Sequence, residues 1–170
     1  MSAFRSLVLV PVLVMMLASL SACGFALRGS GGSYSMPFKS IYLGFSETSA
    51  LGTELRRNLR GGDRVDVVTD IARAEARFEV LSEKRSKSIL SLNAQGRVRE
   101  YLLNYTLVFR VLDNKGDELL TPTEIALKRP LTFNETQVLA KESEEALLYR
   151  DMQTDLVQQI MRRLAAVKPN

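Results

Sequence analysis

Residues 98–112 alternate with a period of two: Tyr101, Leu103, Tyr105, Leu107, Phe109 and Val111 fall on one face, and Glu100, Asn104, Thr106 and Arg110 on the other. Such alternation predicts a half-buried strand. Residues 76–92 carry a second strand pattern, with Phe78 and Val80 on one face but Leu90 and Leu92 on the other. The change of face predicts a bulge or register shift between them. Asn93-Ala94-Gln95-Gly96 joins the two strands as a short turn. A strand of this length spans about 50 Å at roughly 3.3 Å per residue, so the hairpin is expected to project beyond its sheet. Asp113-Asn114-Lys115-Gly116-Asp117 makes a second hairpin turn into residues 118–131, where Pro122 and Pro130 predict an edge or bulged strand.

Two stretches follow the helical period instead. Leu51, Leu55 and Leu59 recur every four residues with Glu54, Arg56, Arg57 and Arg60 between them. Hydroxyls from Ser46 to Ser49 offer caps at one end, and Gly61-Gly62 stops the helix at the other. Near the C-terminus Tyr149, Met152, Leu156, Ile160 and Leu164 form a stripe flanked by Leu148, Val157 and Met161. Asn134 and Gln137 are spaced as a capping box for this second helix. Acids come early in it and Arg162, Arg163 and Lys168 late, which complements the helix dipole. Helicity is expected to near Val167, before Pro169. An earlier strand covers 38–45, and Val65, Val67 and Val68 form a short β-like stretch. The expected fold is α+β: a four-stranded mixed sheet with two helices packed on one face, in the order β-α-β-β-β-α.

The N-terminus follows neither pattern. Arg5 precedes an apolar run from Leu7 to Ala18, too short for the roughly 20 residues of a spanning helix. It reads as a signal peptide over 1–22. Leu20-Ser21-Ala22-Cys23 resembles the lipobox of bacterial lipoproteins, which implies that Cys23 is acylated and becomes the mature N-terminus. Two or three acyl chains hold a protein in a bilayer where one binds only reversibly. The residue after Cys23 is Gly24, not the Asp that marks inner-membrane retention in such lipoproteins, so the outer membrane is expected. Residues 23–36, rich in Gly and Ser, read as a flexible tether, and 37–170 as a single domain.

Composition narrows the chemistry. The 170 residues include no His and one Cys. That removes Ser–His and Cys–His catalytic pairs, His-ligated metals, internal disulfides and cysteine zinc clusters. No carboxylate pair reads as catalytic, so neither an enzyme nor a cofactor is expected. A formal net charge of +4 is too small to argue for nucleic acid.

The basic residues of the long hairpin are more informative: Lys84, Arg85 and Lys87 on one strand, Arg97 and Arg99 just past the turn. They read either as a solvated tip or as an anion site beside Ile89, Leu90, Leu92, Val98 and Leu102. An amphiphile with phosphate headgroups and acyl chains would suit the second reading. On compartment and charge together, the obvious ligand of that type for a periplasm-facing lipoprotein is lipopolysaccharide.

Cys23-Gly24-Phe25-Ala26-Leu27-Arg28-Gly29 resembles the mature start of LptE, the lipopolysaccharide-assembly lipoprotein (RlpB) family. Gly96, Glu100 and Tyr101 fit that family's hairpin, and Leu139-Ala140-Lys141-Glu142 the start of its last helix. The resemblance implies a plug inside the LptD outer-membrane β-barrel, expected at one to one, which assists barrel assembly and binds lipopolysaccharide in transit to the outer leaflet. It implies a location on the periplasmic side and in the barrel lumen. Lys141 falls on the family's lipopolysaccharide-binding Lys. The family's second basic position falls on Ala94, a departure that Arg97, Arg99 or the Lys84–Lys87 cluster would have to make good. The other class of function open to such a chain is a stand-alone lipid-anchored binding or structural module without a barrel.

Overall fold

The computed structural model describes residues 35–62 and 65–168. The signal peptide, Cys23, nearly all of the tether and Pro169 lie outside the described residues.

Strand β1 (Ser40–Gly44) leads into helix α1 (Ala50–Gly62), capped by Ser49, whose Oγ accepts the Gly52 N–H at 3.0 Å. β2 (Asp66–Val68) follows, then a single 3-10 turn, then β3 (Ala76–Leu92), β4 (Val98–Asp113) and β5 (Glu118–Thr132). Asn134 caps a further 3-10 turn by accepting the Thr136 N–H, and α2 (Val138–Ala165) completes the chain. The expected capping box is therefore replaced by an Asn134 turn that delivers the chain to a helix starting four residues later.

The sheet has five strands, not four, in the order β2-β1-β3-β4-β5. The short valine stretch earns its own place because Asp66, Val67 and Val68 pair in parallel with Ser40, Ile41 and Tyr42. β1 pairs in parallel with β3 through a crossover, and β3, β4 and β5 form an antiparallel meander. β5 is the edge that Pro122 and Pro130 require.

The alternating face of β4 is the core face. Leu103, Tyr105, Leu107, Phe109 and Val111 are fully buried there against Leu51, Leu55 and Leu59 of α1 and Met152, Leu156, Ile160 and Leu164 of α2. Phe78 stacks between Phe45 and Phe109. The opposite face is solvated and laced by polar pairs: Arg110 bridges Glu79 at 2.8 Å and Glu118 at 3.7 Å, and Ser91 donates to Glu100 at 2.6 Å.

β1 ends opposite Glu79, so from Val80 onward β3 has only β4 beside it, while β5 accompanies β4 as far as Glu100; only the turn end of the hairpin, not its length, lies beyond the sheet. The predicted bulge is present: Leu81 is an extra residue between the Val80–Phe109 and Ser82–Val108 pairs. It moves odd-numbered residues from Glu83 to Ile89 onto the helix side, until a second irregularity at Leu90 returns Ser91 to the open face opposite Glu100. Both turns are built alike. Asn93 Oδ1 accepts from the N–H groups of Gln95 and Arg97, and Asp113 Oδ1 from those of Lys115 and Asp117. Gly96 at φ +75° and Gly116 at φ +96° take the left-handed position in each.

Candidate functional site

The distal half of the hairpin lies beside the first half of α2, and the bulge at Leu81 decides which cations meet there. Arg85 pairs in register with Tyr105 and Lys87 with Leu103, so both point toward α2. Lys84 pairs with Thr106 and takes the open face. The Lys84–Lys87 run is thus split between two surfaces.

Arg85 is an exposed residue whose guanidinium meets polar and aromatic groups. Its guanidinium lies 4.3 Å from the Tyr105 ring centroid and 5.7 Å from that of Tyr149. Nη2 donates to Tyr105 Oη at 2.9 Å and to Gln153 Oε1 at 3.0 Å. The Tyr105 hydroxyl donates onward to Glu83 at 2.6 Å. Burial and the Glu83 hydrogen bond together push its phenol up to about 12. Tyr149 Oη closes the group by donating to the Ser86 carbonyl at 3.0 Å. Burial raises the Tyr149 phenol too.

Lys87 lies one pair further out. Its Nζ donates to Glu145 at 2.7 Å and lies 4.8 Å from the centre of the Tyr101 ring. The Glu145 hydrogen bond raises its ammonium above the usual lysine value. Arg97 meets Glu135 at 3.1 Å, just before α2. Lys141 donates to Thr132 Oγ1 at 3.0 Å and to Glu144 Oε2 at 2.7 Å, and its side chain is only 16% exposed. Arg99 is exposed, its carbonyl accepting the Phe133 N–H at 2.9 Å.

Four of the six basic candidates, Arg85, Lys87, Arg97 and Lys141, are therefore gathered along one border between hairpin and helix. Apolar side chains stand open at the same end. Ile89, Leu90 and Leu92 on the hairpin and Val138 and Leu139 at the start of α2 are exposed, Leu139 to 80%. Tyr105, Tyr149, Glu83 and Gln153 were invisible to the sequence reading as members of this site. A buried tyrosine whose hydroxyl needs a partner was the one available signal.

The geometry is that of a cationic and apolar border. Among the described residues no three His, Cys, Asp or Glu side chains converge to hold a metal ion. No described helix is long and apolar enough to cross a membrane.

Residues 38–164 match the family model for LptE, lipopolysaccharide-assembly. The chain belongs to the LptE family. It is 29% identical over 149 residues to the LPS-assembly lipoprotein LptE of Pectobacterium atrosepticum, a match covering 86% of this chain and 79% of that one. Its fold is similar to the solution structure of lipoprotein B from Nitrosomonas europaea, with 40% identity and a TM-score of 0.72 over 84% of this chain and 91% of that one. The crystal structure of rare lipoprotein B from Shewanella oneidensis gives 26% identity and a TM-score of 0.62, covering 75% and 94%. Membership in LptE gives this chain a role in lipopolysaccharide assembly and places it among the outer-membrane lipoproteins of that pathway. The LptE family match starts at Phe38, where β1 is about to begin, and ends at Leu164, the last buried residue of α2's stripe.

Proposed function

We propose that this protein is anchored by acylated Cys23 to the periplasmic side of the outer membrane and plugs the lumen of the LptD barrel at one to one. It assists assembly of that barrel and binds lipopolysaccharide during its passage outward, without catalysis. The observation that carries the binding part is the border described above. Lys141, Lys87, Arg85 and Arg97 line up beside exposed Ile89, Leu90, Leu92 and Leu139. Cations for phosphates next to apolar surface for acyl chains suit one amphiphile. Lys84 and Arg99, both exposed and outside any ion pair among the described residues, extend positive charge to either side. The plug part is supported by the open sheet face. Glu100, Asn104, Thr106 and Arg110 present a polar wall, and a barrel lumen is polar.

The test is recovery of tagged full-length protein from outer membranes of its own host in mild detergent. A large outer-membrane barrel in about equal amount establishes the plug. Recovery alone, in detergent that spares other barrel complexes, leaves the stand-alone lipid-anchored module instead. Lys141→Glu and Arg97→Glu are expected to weaken lipopolysaccharide binding, and unchanged binding in both would remove the border from the site.

A further inference from the structure

The densest unneutralised positive charge lies on α1, away from the hairpin. Arg56, Arg57 and Arg60 occupy one exposed side of that helix. None of the three forms an ion pair among the described residues, whereas Lys87, Arg97 and Lys141 are each held by a carboxylate. Glu54, the acid of the same helix, is turned away: it accepts from Gln153 at 2.6 Å and Thr154 at 2.9 Å on α2.

Arg56 and Arg60 also form one wall of a cleft of about 160 Å³, lined further by Tyr42, Phe45, Val67 and Thr69. Spaced one turn apart, they stand roughly 6 Å from each other along the helix. Arg60 is steadied by a hydrogen bond from Nη2 to the Val67 carbonyl at 3.5 Å. Glu47 is the one carboxylate among the residues lining this cleft, against the two guanidiniums of Arg56 and Arg60, and Arg57 adds a third positive charge on the adjoining helix surface. Guanidiniums fork onto phosphate oxygens. The size agrees. Ligand sites for larger molecules run from about 300 Å³ upward, so this cleft matches a phosphate with a few attached atoms.

We infer that Arg56 and Arg60, with Arg57 beside them, form a binding site for the phosphodiester headgroup of an anionic glycerophospholipid at the membrane surface. The inference is separate from lipopolysaccharide binding at the hairpin. It rests on the reading that Cys23 anchors the chain to a membrane and requires α1 to stand outside the barrel lumen, at the membrane surface. The site would orient the domain by gripping the leaflet at a second point.

Native mass spectrometry of the full-length protein in neutral detergent tests it, with phosphatidylglycerol and phosphatidylcholine offered in equal amounts. The mass of the protein itself reads whether Cys23 is acylated, which separates failure of the anchor from failure of the site. Phosphatidylglycerol adducts are expected on the wild type and phosphatidylcholine adducts are not. Arg56→Gln with Arg60→Gln should reduce the adducts about tenfold. Lys141→Glu should leave them in place, and the arginine pair should leave lipopolysaccharide binding in place. Arg56→Lys with Arg60→Lys, which keeps charge but loses the fork, should retain an intermediate level. Equal adducts on wild type and the glutamine variant overturn the site. Displacement by millimolar inorganic phosphate at equal affinity makes it a free-phosphate site and overturns the lipid assignment. Loss of a co-purifying barrel in the glutamine variant, with adducts unchanged, makes the patch a protein contact and overturns it too.

Discussion

Lys141 Nζ donates to Glu144 Oε2 across 2.7 Å, three residues further along the same helix. The lysine implied by family resemblance to hold lipopolysaccharide is thus already engaged, and an anionic ligand must compete with Glu144 for it. An i,i+3 pair contributes roughly 0.2–0.5 kcal/mol. Glu144→Gln should therefore strengthen lipopolysaccharide binding about twofold, while Lys141→Glu weakens it. Unfolding midpoints of both variants should stay close to the wild type. A titration with purified lipopolysaccharide reads both effects, and a Glu144→Gln protein that binds more weakly would show that the carboxylate helps position the lysine.

The Tyr105 hydroxyl joins β3 to β4 and, through Arg85, to α2. Tyr105→Phe keeps the buried ring and removes only that link. A cost of about 1–2 kcal/mol is expected, read in chemical denaturation.

Alkaline stability follows from the same group. Its folded value of about 12 lies above the ordinary 10.0. The unfolded chain then loses this proton first, and stability falls as pH rises between the two. The contribution is complete below about pH 10 and lost as pH passes the folded value. Lys87, also raised, acts in the same direction above its ordinary 10.5. Tyr105→Phe should flatten the alkaline decline and delete the latest step of phenolate absorbance. An unchanged titration curve would refute the assignment.

Gly52 lies in the first turn of α1, where propensity alone favours alanine by about 1 kcal/mol. A Cβ there would stand 2.6 Å from Phe45 Cβ and 2.8 Å from Cγ. Phe45 is held by stacking on Phe78 at 5.3 Å and cannot withdraw freely. Overpacking of this kind costs about 1–3 kcal/mol, so Gly52→Ala should lower the thermal midpoint despite the better helix former. A raised midpoint would mean that Phe45 yields.

What the sequence determined by itself are the properties set within a few residues. The leucines of α1, the stripe of α2 and the alternation of β4 each identified their element and its buried face, because a period of 3.6 or 2 leaves an imprint on neighbouring positions. The hairpin turns, the edge position of β5 and the family-like Leu139–Glu142 stretch were equally local. Tertiary structure alone decided the rest. Whether Asp66, Val67 and Val68 form a strand depends on β1 being there to pair with them. Which of Lys84, Arg85 and Lys87 meets α2 depends on where one extra residue, Leu81, enters the pairing of β3 with β4, since a shift of one position exchanges the two faces. Which cations are left free depends on carboxylates distant in sequence, such as Glu145 for Lys87. Periodicity fixes a side chain's direction relative to its own element, and only the packing of elements fixes what it meets.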